Sequence, residues 1–220
     1  MSTVRLIAKM PTIAAFAHGR QTSLVVDIGA AGTRVTPVVD GLVLHQSQRR
    51  NGRGGNWLDS CMWQALQNER IVLRPRYQLQ KVKLDKPNGI FHRRAMLDLM
   101  YEIRSSEHVK LAPWSTDVSA PFASNRMIEE EAQARHYELP DGTLVDLTTS
   151  VGRDICRVPE LLLTEEIPFM DSMDQTAHEQ ILNQHATLSN EPLPKLVHSS
   201  LAAVADVDLR KELAASVLLT

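Results

Sequence analysis

A mixed α/β fold is what this sequence predicts, and three observations predict it. A β-branched apolar run, Leu24 to Val26, meets a second one, Thr33 to Val39, across a turn of small residues. Apolar residues recur at helical spacing at Leu6 to Ala17, at Leu196 to Ala205 and from Asp208 onward. The stretch HYELPDGTLVDL, residues 136 to 147, has the Pro-Asp-Gly turn of a hairpin between two short strands. With 220 residues, 43% hydrophobic and 23% charged, the chain can bury a core, as one domain or as two small lobes.

Taken in order, the first helix is expected over Leu6 to Ala17 despite Pro11, and Gly19 in His18-Gly19-Arg20 supplies its stop. Strands follow through Leu44, and then the polar, glycine-rich loop RRNGRGGN at 49 to 56. Trp57 to Leu66 reads as a helix with Trp57, Cys61 and Ala65 on one stripe. Pro75, Pro87 and Pro113 are scattered among basic and apolar positions, so residues 70 to 120 are expected to form a variable, partly irregular insertion. Past the hairpin, Ile155 to Leu163 is apolar around Pro159, and Pro168 to Pro194 is loop-rich with a short helix. The final helix is expected to run from Asp208 into the apolar end SVLLT.

Composition excludes several function classes. No apolar run approaches the roughly twenty residues of a membrane-spanning helix, and the N-terminal stretch lacks an apolar core followed by a cleavage site, so neither membrane insertion nor export is expected. Cys61 and Cys156 lie far apart with no CxxC pairing and read as reduced packing residues. His178 and His185 have no cysteine or carboxylate set in zinc-ligand order, and Asp171, Asp174 and Glu179 lack the spacing of a calcium loop. The serines at 105, 106, 199 and 200 have no legible base partner, and the acidic run at 129 to 131 reads as an exposed helical face.

Charge is uneven along the chain. Between Arg49 and Arg94 eleven Lys and Arg residues stand against Asp59, Glu69 and Asp85, whereas between Asp117 and Glu191 fifteen acidic residues stand against four arginines. The basic cluster Arg70, Arg74, Arg76, Lys81, Lys83, Lys86, Arg93 and Arg94 is interleaved with Tyr77 and Phe91. Such a segment suits phosphates and stacked bases, an acidic protein surface, or plain solvation, and its residue types do not choose among these.

The candidate site is the turn in LVVDIGAAGTRVTPVVDG, residues 24 to 41. Gly29, Ala30, Ala31 and Gly32 let backbone N–H groups approach an anion closely, and Asp27 at the strand end can face a metal through water. The same stretch is equally a glycine-containing hairpin loop, since it matches neither the dinucleotide fingerprint nor the P-loop.

The order of motifs decides what to compare it with. MPTIAAFAHGRQTSLVVDIGAAGTRVTPVVDGLVL resembles the start of the second half of actin, where a helix ends in Gly-Arg and leads into the second phosphate loop. GRGGNWLDSCMWQAL, HYELPDGTLVDL with CRVPELLL, and DVDLRKELAASVLLT follow in the same order, with residues 70 to 135 the least similar. The IAK and TSLVVD phrases look most like the nuclear actin-related protein 4 class. The resemblance implies the actin and hexokinase (ribonuclease H-like) ATPase fold, mainly one of its two lobes and truncated at both ends. It implies an inner subdomain from residues 1–52 and 165–220, and an outer subdomain from 53–164 that carries the basic insertion.

Carried over from the family, Asp27, Gly29 and Thr33 match the phosphate-loop motif, the backbone of Ala30 to Gly32 lines the anion, and Asp27 reaches a metal through water. The departures are Ala30, where actin has aspartate, Ala31, where it has glycine, and Met10, where it has the glutamine that orients the attacking water. Methionine positions water poorly, so hydrolysis is not expected. The implied role is a non-catalytic structural subunit of a chromatin-remodelling or histone acetyltransferase assembly, in the nucleus and cytoplasm. Its partners would be a remodeller helix and actin, with histones or DNA at residues 70–94. The alternative is an actin-type ATP-binding protein or ATPase, with Mg-ATP as its cofactor when the other lobe is present.

Overall fold

A computed structural model describes residues 8–79, 88–106, 136–146, 155, 158–164 and 190–220. The described residues form two compact units, one from residues 8–57, 162–164 and 190–220, the other from those between 58 and 161.

The first unit is a three-layered α/β arrangement. Strands β1 (Ser23–Ile28) and β2 (Thr33–Val39) pair antiparallel, with Leu24 opposite Pro37 and Ile28 opposite Thr33. Next to β2 lie two short strands, β3 (Leu42–Val43) and β4 (Arg49–Arg50), and β7 (Val217–Leu219) lies parallel to β1 on its other side. The alternation of β1 divides its side chains between two faces. Leu24 and Val26 join Val35, Leu196, Val204 and Leu213 in one cluster, while Val25 joins Ala15, Val38 and Leu218 in the other. A strand buried on both faces reads as the continuous apolar run seen here.

Three helices cover those faces. Helix α1 (Met10–Ala17) supplies Ala15, and helices α5 (Leu193–Ala202) and α6 (Val207–Ala215) supply Leu196 and Leu213. The start of α1 corrects the expectation of a helix from Leu6, whose first residues lie outside those described. Pro11 occupies the first turn, where its missing N–H costs nothing, and the helix begins at Met10 rather than passing through the proline. Its end is as expected: Gly19 has φ +67, the Gly19 N–H donates to the Phe16 carbonyl and the Arg20 N–H to that of Ala15.

Two further boundaries differ at the C-terminal end. Helix α5 begins three residues before Leu196, because Pro194 again serves as a first-turn residue, and it ends at Ala202 rather than Ala205. Helix α6 starts on the Asp206 cap, whose carboxylate accepts from the N–H groups of Asp208 and Leu209, but it stops at Ala215. Val217–Leu219 is a strand, not a continuation of the helix.

The second unit contains most of α2 (Gly55–Asn68), then α3 (Arg76–Leu79), α4 (Gly89–Arg104), the hairpin β5 (His136–Glu138) and β6 (Leu144–Asp146), and all but the last residue of a 3-10 turn at Val158–Leu162. Helix α4 is the main regular part of the stretch expected to be partly irregular, while residues 71–75 have no helix or strand. Asn88 caps α4 by accepting from the Ile90 N–H, and Met96, Leu99, Met100 and Ile103 form a buried stripe at helical spacing. Its last residue, Arg104, donates to the buried carboxylate of Asp59 at 2.8 Å. Burial raises the Asp59 pKa above the ordinary carboxylate value, with Arg104 opposing. No helix among the described residues is long and apolar enough to cross a membrane.

Candidate functional site

Gly29 to Gly32 join β1 to β2, and the hydrogen bond between Gly29 and Gly32 sets Ala30-Ala31 as the two residues at the tip. Such links normally need positive φ in the linking residues. Ala30 and Ala31 do not adopt it, and among the four turn residues only Gly32 does, with φ +150. The Gly29 N–H donates to the Gly32 carbonyl at 3.1 Å, but the ladder goes no further.

The turn carbonyls go elsewhere. That of Gly29 accepts from the Gly55 N–H at 3.0 Å, and that of Ala30 from the Asn56 N–H at 2.9 Å. These are the first donors of α2, which a helix start cannot satisfy internally. Turn and helix therefore complete each other. Among the described residues the N–H groups of Ala30, Ala31 and Gly32 have no partner, and Ala30 and Ala31 are exposed. The half-buried Asp27 carboxylate has none either. The N–H groups of Ala30, Ala31 and Gly32 can meet an anion, and Asp27 can face a metal through water, whereas a fully closed two-residue hairpin would take up the Gly32 N–H.

The glycine-rich loop holds this turn at backbone contact. A side-chain carbon added to Gly54 would lie 2.4 Å from the Gly32 nitrogen and 2.5 Å from the Gly29 oxygen, and one added to Gly32 would lie 2.3 Å from the Asn51 oxygen. Asn51 Oδ1 accepts from the N–H groups of Thr33 and Arg53. The buried Thr33 hydroxyl donates to the Arg53 carbonyl at 2.7 Å. The Thr33 hydroxyl thus ties the turn to the loop. Arg53 in turn is buried, donating to the Thr164 carbonyl at 2.6 Å and to Asn190 Oδ1 at 3.1 Å, with its guanidinium 5.0 Å from the Trp57 ring centre. Asn51, Arg53 and Gly54 were not among the residues expected at the site, although the loop's run of glycines was their signal. The loop itself begins as β4 and ends by entering α2 at Gly55, two residues before the expected start of that helix.

Met10 stands at the first position of α1 and is 45% exposed. The basic cluster divides. Lys81, Lys83 and Lys86 lie outside the described residues, as do Cys156, His178, His185, Asp171, Asp174, Glu179 and residues 129 to 131. Arg76 pairs with Glu102 at 3.0 Å and Arg94 with Asp98 at 3.0 Å. With Tyr77 and Phe91, which pack edge to face at 5.1 Å, these residues line a groove of about 230 Å³. Two charges of the cluster are therefore balanced locally. Cys61 is buried with no disulfide, as expected of a packing residue.

Comparison with known proteins gives a consistent result. The actin family model matches residues 3–220. The chain is 32% identical over 224 residues to Actin-related protein 4 of Oryza sativa subsp. indica, and 30% identical over 223 residues to that of Arabidopsis thaliana. Each match covers 97% of this chain and 46% of the relative. Actin-related protein 4 of Schizosaccharomyces pombe is 26% identical over 231 residues, covering 96% of this chain and 51% of its own length. The chain thus spans about half the length of the curated relatives it matches. On the family match, the order of motifs and the layered sheet behind the turn, this chain belongs to the actin family, is similar to Actin-related protein 4, and has the mixed α/β architecture of part of the actin fold.

Proposed function

We propose that the chain is a non-catalytic interaction subunit of a nuclear assembly that remodels chromatin or acetylates histones, where a long helix of the remodelling ATPase and actin are its partners. One observation carries the non-catalytic part. The position at which the family places a water-orienting glutamine is an exposed thioether, Met10, which offers water no useful donor or acceptor. Residues 70–94 belong to the same proposal as a contact for histones or DNA, with Arg70, Arg74 and Arg93 as the charges that no carboxylate within the ion-pair distance takes up among the described residues.

The test is phosphate release from Mg-ATP by the full chain. No release above buffer is expected, and Met10→Gln is expected to add little. Steady turnover that disappears in Asp27→Ala overturns the reading. Formation of a complex with actin and the remodeller helix on a sizing column supports the subunit role, and its failure with folded components argues against it.

A second reading is favoured by a specific observation. The free N–H groups of Ala30, Ala31 and Gly32 beside Asp27 fit a nucleotide's phosphates with Mg, so nucleotide binding without hydrolysis is the alternative that calorimetry decides. Ala30 in place of the family's aspartate, and a Thr33 hydroxyl already donated to Arg53, weigh against tight binding.

A further inference from the structure

Residues directly opposite in a β-ladder project from the same face, so the register sets Asp27, Arg34 and Arg50 in one row across β1, β2 and β4. The row continues the face of Val25 and Val38, which α1 covers with Ala15. Thr33 and Val35 belong to the other face, that of Leu24 and Val26. There the Thr33 hydroxyl is taken up by the Arg53 carbonyl.

Two like charges stand together in this row. The Asn51 N–H donates to the Thr33 carbonyl at 2.9 Å, so one position further Arg34 and Arg50 form a non-hydrogen-bonded pair, the kind in which facing side chains come closest. Their Cβ atoms are then about 5 Å apart, and like charges so placed destabilise the pairing. Asp27 lies opposite Arg34 on β1 but makes no ion pair with it, and neither arginine has a hydrogen-bond or ion-pair partner among the described residues. Arg49, which faces the other way, differs: its guanidinium donates to the Gln46 and Gln48 carbonyls. A half-buried Arg34 beside an exposed Arg50, both unengaged, is a repulsion that an anion between them would relieve.

The turn supplies a second donor set nearby. Gly32 is two residues, about 7 Å of strand, from Arg34. The N–H groups of Ala30, Ala31 and Gly32 have no partner among the described residues. With two arginines against one aspartate the row is positive, and the N–H dipoles add to it. A carboxylate has one charged end and can serve only one of the two donor sets. Two linked phosphoryl groups can serve both.

We propose that Arg34, Arg50 and the turn N–H groups bind a diphosphate group without a metal. One phosphoryl group sits on the N–H groups of Ala30 to Gly32, and the other lies between the guanidiniums, whose forks match phosphate oxygens. The proposal rests on the reading in which this turn takes a nucleotide's phosphates, and it changes the role of Asp27. With guanidiniums supplying the positive charge, the carboxylate opposes the ligand instead of holding its metal.

The test is isothermal titration calorimetry on the full chain with inorganic pyrophosphate and with ADP, each in EDTA and in Mg. Both are expected to bind in EDTA. Arg50→Gln should weaken pyrophosphate binding about tenfold without lowering Tm, because it removes a charge-assisted contact to the ligand and the repulsion of Arg34 at once. Arg34→Gln should do the same, and if that variant does not fold, the exposed Arg50 still decides. Asp27→Asn should tighten pyrophosphate binding about threefold in EDTA, the scale of one partly exposed charge contact. Tighter binding of ADP than of pyrophosphate makes the ligand a nucleotide and equal binding makes it the diphosphate alone; both support the site. Binding of ADP that requires Mg and is lost in Asp27→Asn keeps the nucleotide reading and overturns this proposal, as does unchanged affinity in Arg50→Gln. Binding of neither ligand in either condition overturns both.

Discussion

The loop at 51–56 and the segment at 70–94 both carry arginine and glycine, and they put their arginines to opposite use. In the first, Arg53 is 3% exposed and its donors end on Thr164 and Asn190 inside the unit. In the second, Arg76 and Arg94 have side chains 75% and 70% exposed and reach only carboxylates on the surface. The charge that a sequence carries is thus not the charge that its surface offers. A guanidinium with several internal acceptors behaves as a cross-link, whereas one in water behaves as a weak, screened charge.

The glycines show the same contrast with the largest expected effect. At Gly54 a methyl group would enter the backbone of Gly29 and Gly32, and at Gly89, the first residue of α4, it would meet nothing within 4 Å. Gly54→Ala is expected to cost about 3 kcal/mol or more, since backbone atoms have no other rotamer to retreat into. Gly89→Ala is expected to add about 0.5 kcal/mol by restricting the unfolded chain. Urea denaturation measures both. A Gly54→Ala variant as stable as the parent would mean that the turn and loop are not in contact in solution.

Next in size are the arginines. Arg53→Ala removes the charge-assisted hydrogen bonds to Thr164 and Asn190 and the contact with Trp57, and is expected to cost about 2–4 kcal/mol. Arg76→Ala, which removes one exposed pair, should stay within about 0.5 kcal/mol. Arg53→Lys should recover little of the loss, because one ammonium cannot span both acceptors and lie on the indole. Equal costs for Arg53→Ala and Arg76→Ala would erase the distinction between the two regions.

These differences also explain what could be read in advance. The pair β1 and β2 was legible because β-branched residues buried on both faces leave few alternatives. The turn was legible as a place, and Asp27 and Gly29 to Gly32 lie there, but its mechanics were not. They depend on Asn51, Arg53 and Gly54, which are distant in sequence and meet the turn through backbone atoms and the Asn51 and Thr33 side chains, in contacts that no apolar periodicity records. The strand at Val217–Leu219 was hidden because Leu209, Leu213 and Val217 continue the helical spacing of α6 past the point where the helix stops. Helix α4 had its stripe in plain view at Met96, Leu99, Met100 and Ile103. The arginines and prolines around it drew the reading toward partly irregular structure, although α4 starts at Gly89 on its Asn88 cap and contains no proline.

The smallest expected effect contrasts two carboxylates within the second unit. Burial raises the pKa of Asp59 above the ordinary 3.8, with Arg104 opposing, while the Thr143 N–H lowers that of Asp141 below 3.8 in an exposed turn. Their contributions to stability should therefore run in opposite directions with pH. The Asp141 contribution is present above 3.8 and fades as pH falls through its lowered folded value, because the unfolded chain takes up the proton first. For Asp59 the native state takes up the proton first, so its contribution improves as pH falls from its raised value toward 3.8. Carboxylate titration by NMR should place the Asp141 midpoint below that of Asp59. Asp141→Asn should then make stability less sensitive to acid below about pH 4, whereas Asp59→Asn should remove the gain seen just above it. If the two midpoints coincide, the two carboxylates do not differ in the way that burial at Asp59 and the Thr143 N–H at Asp141 require.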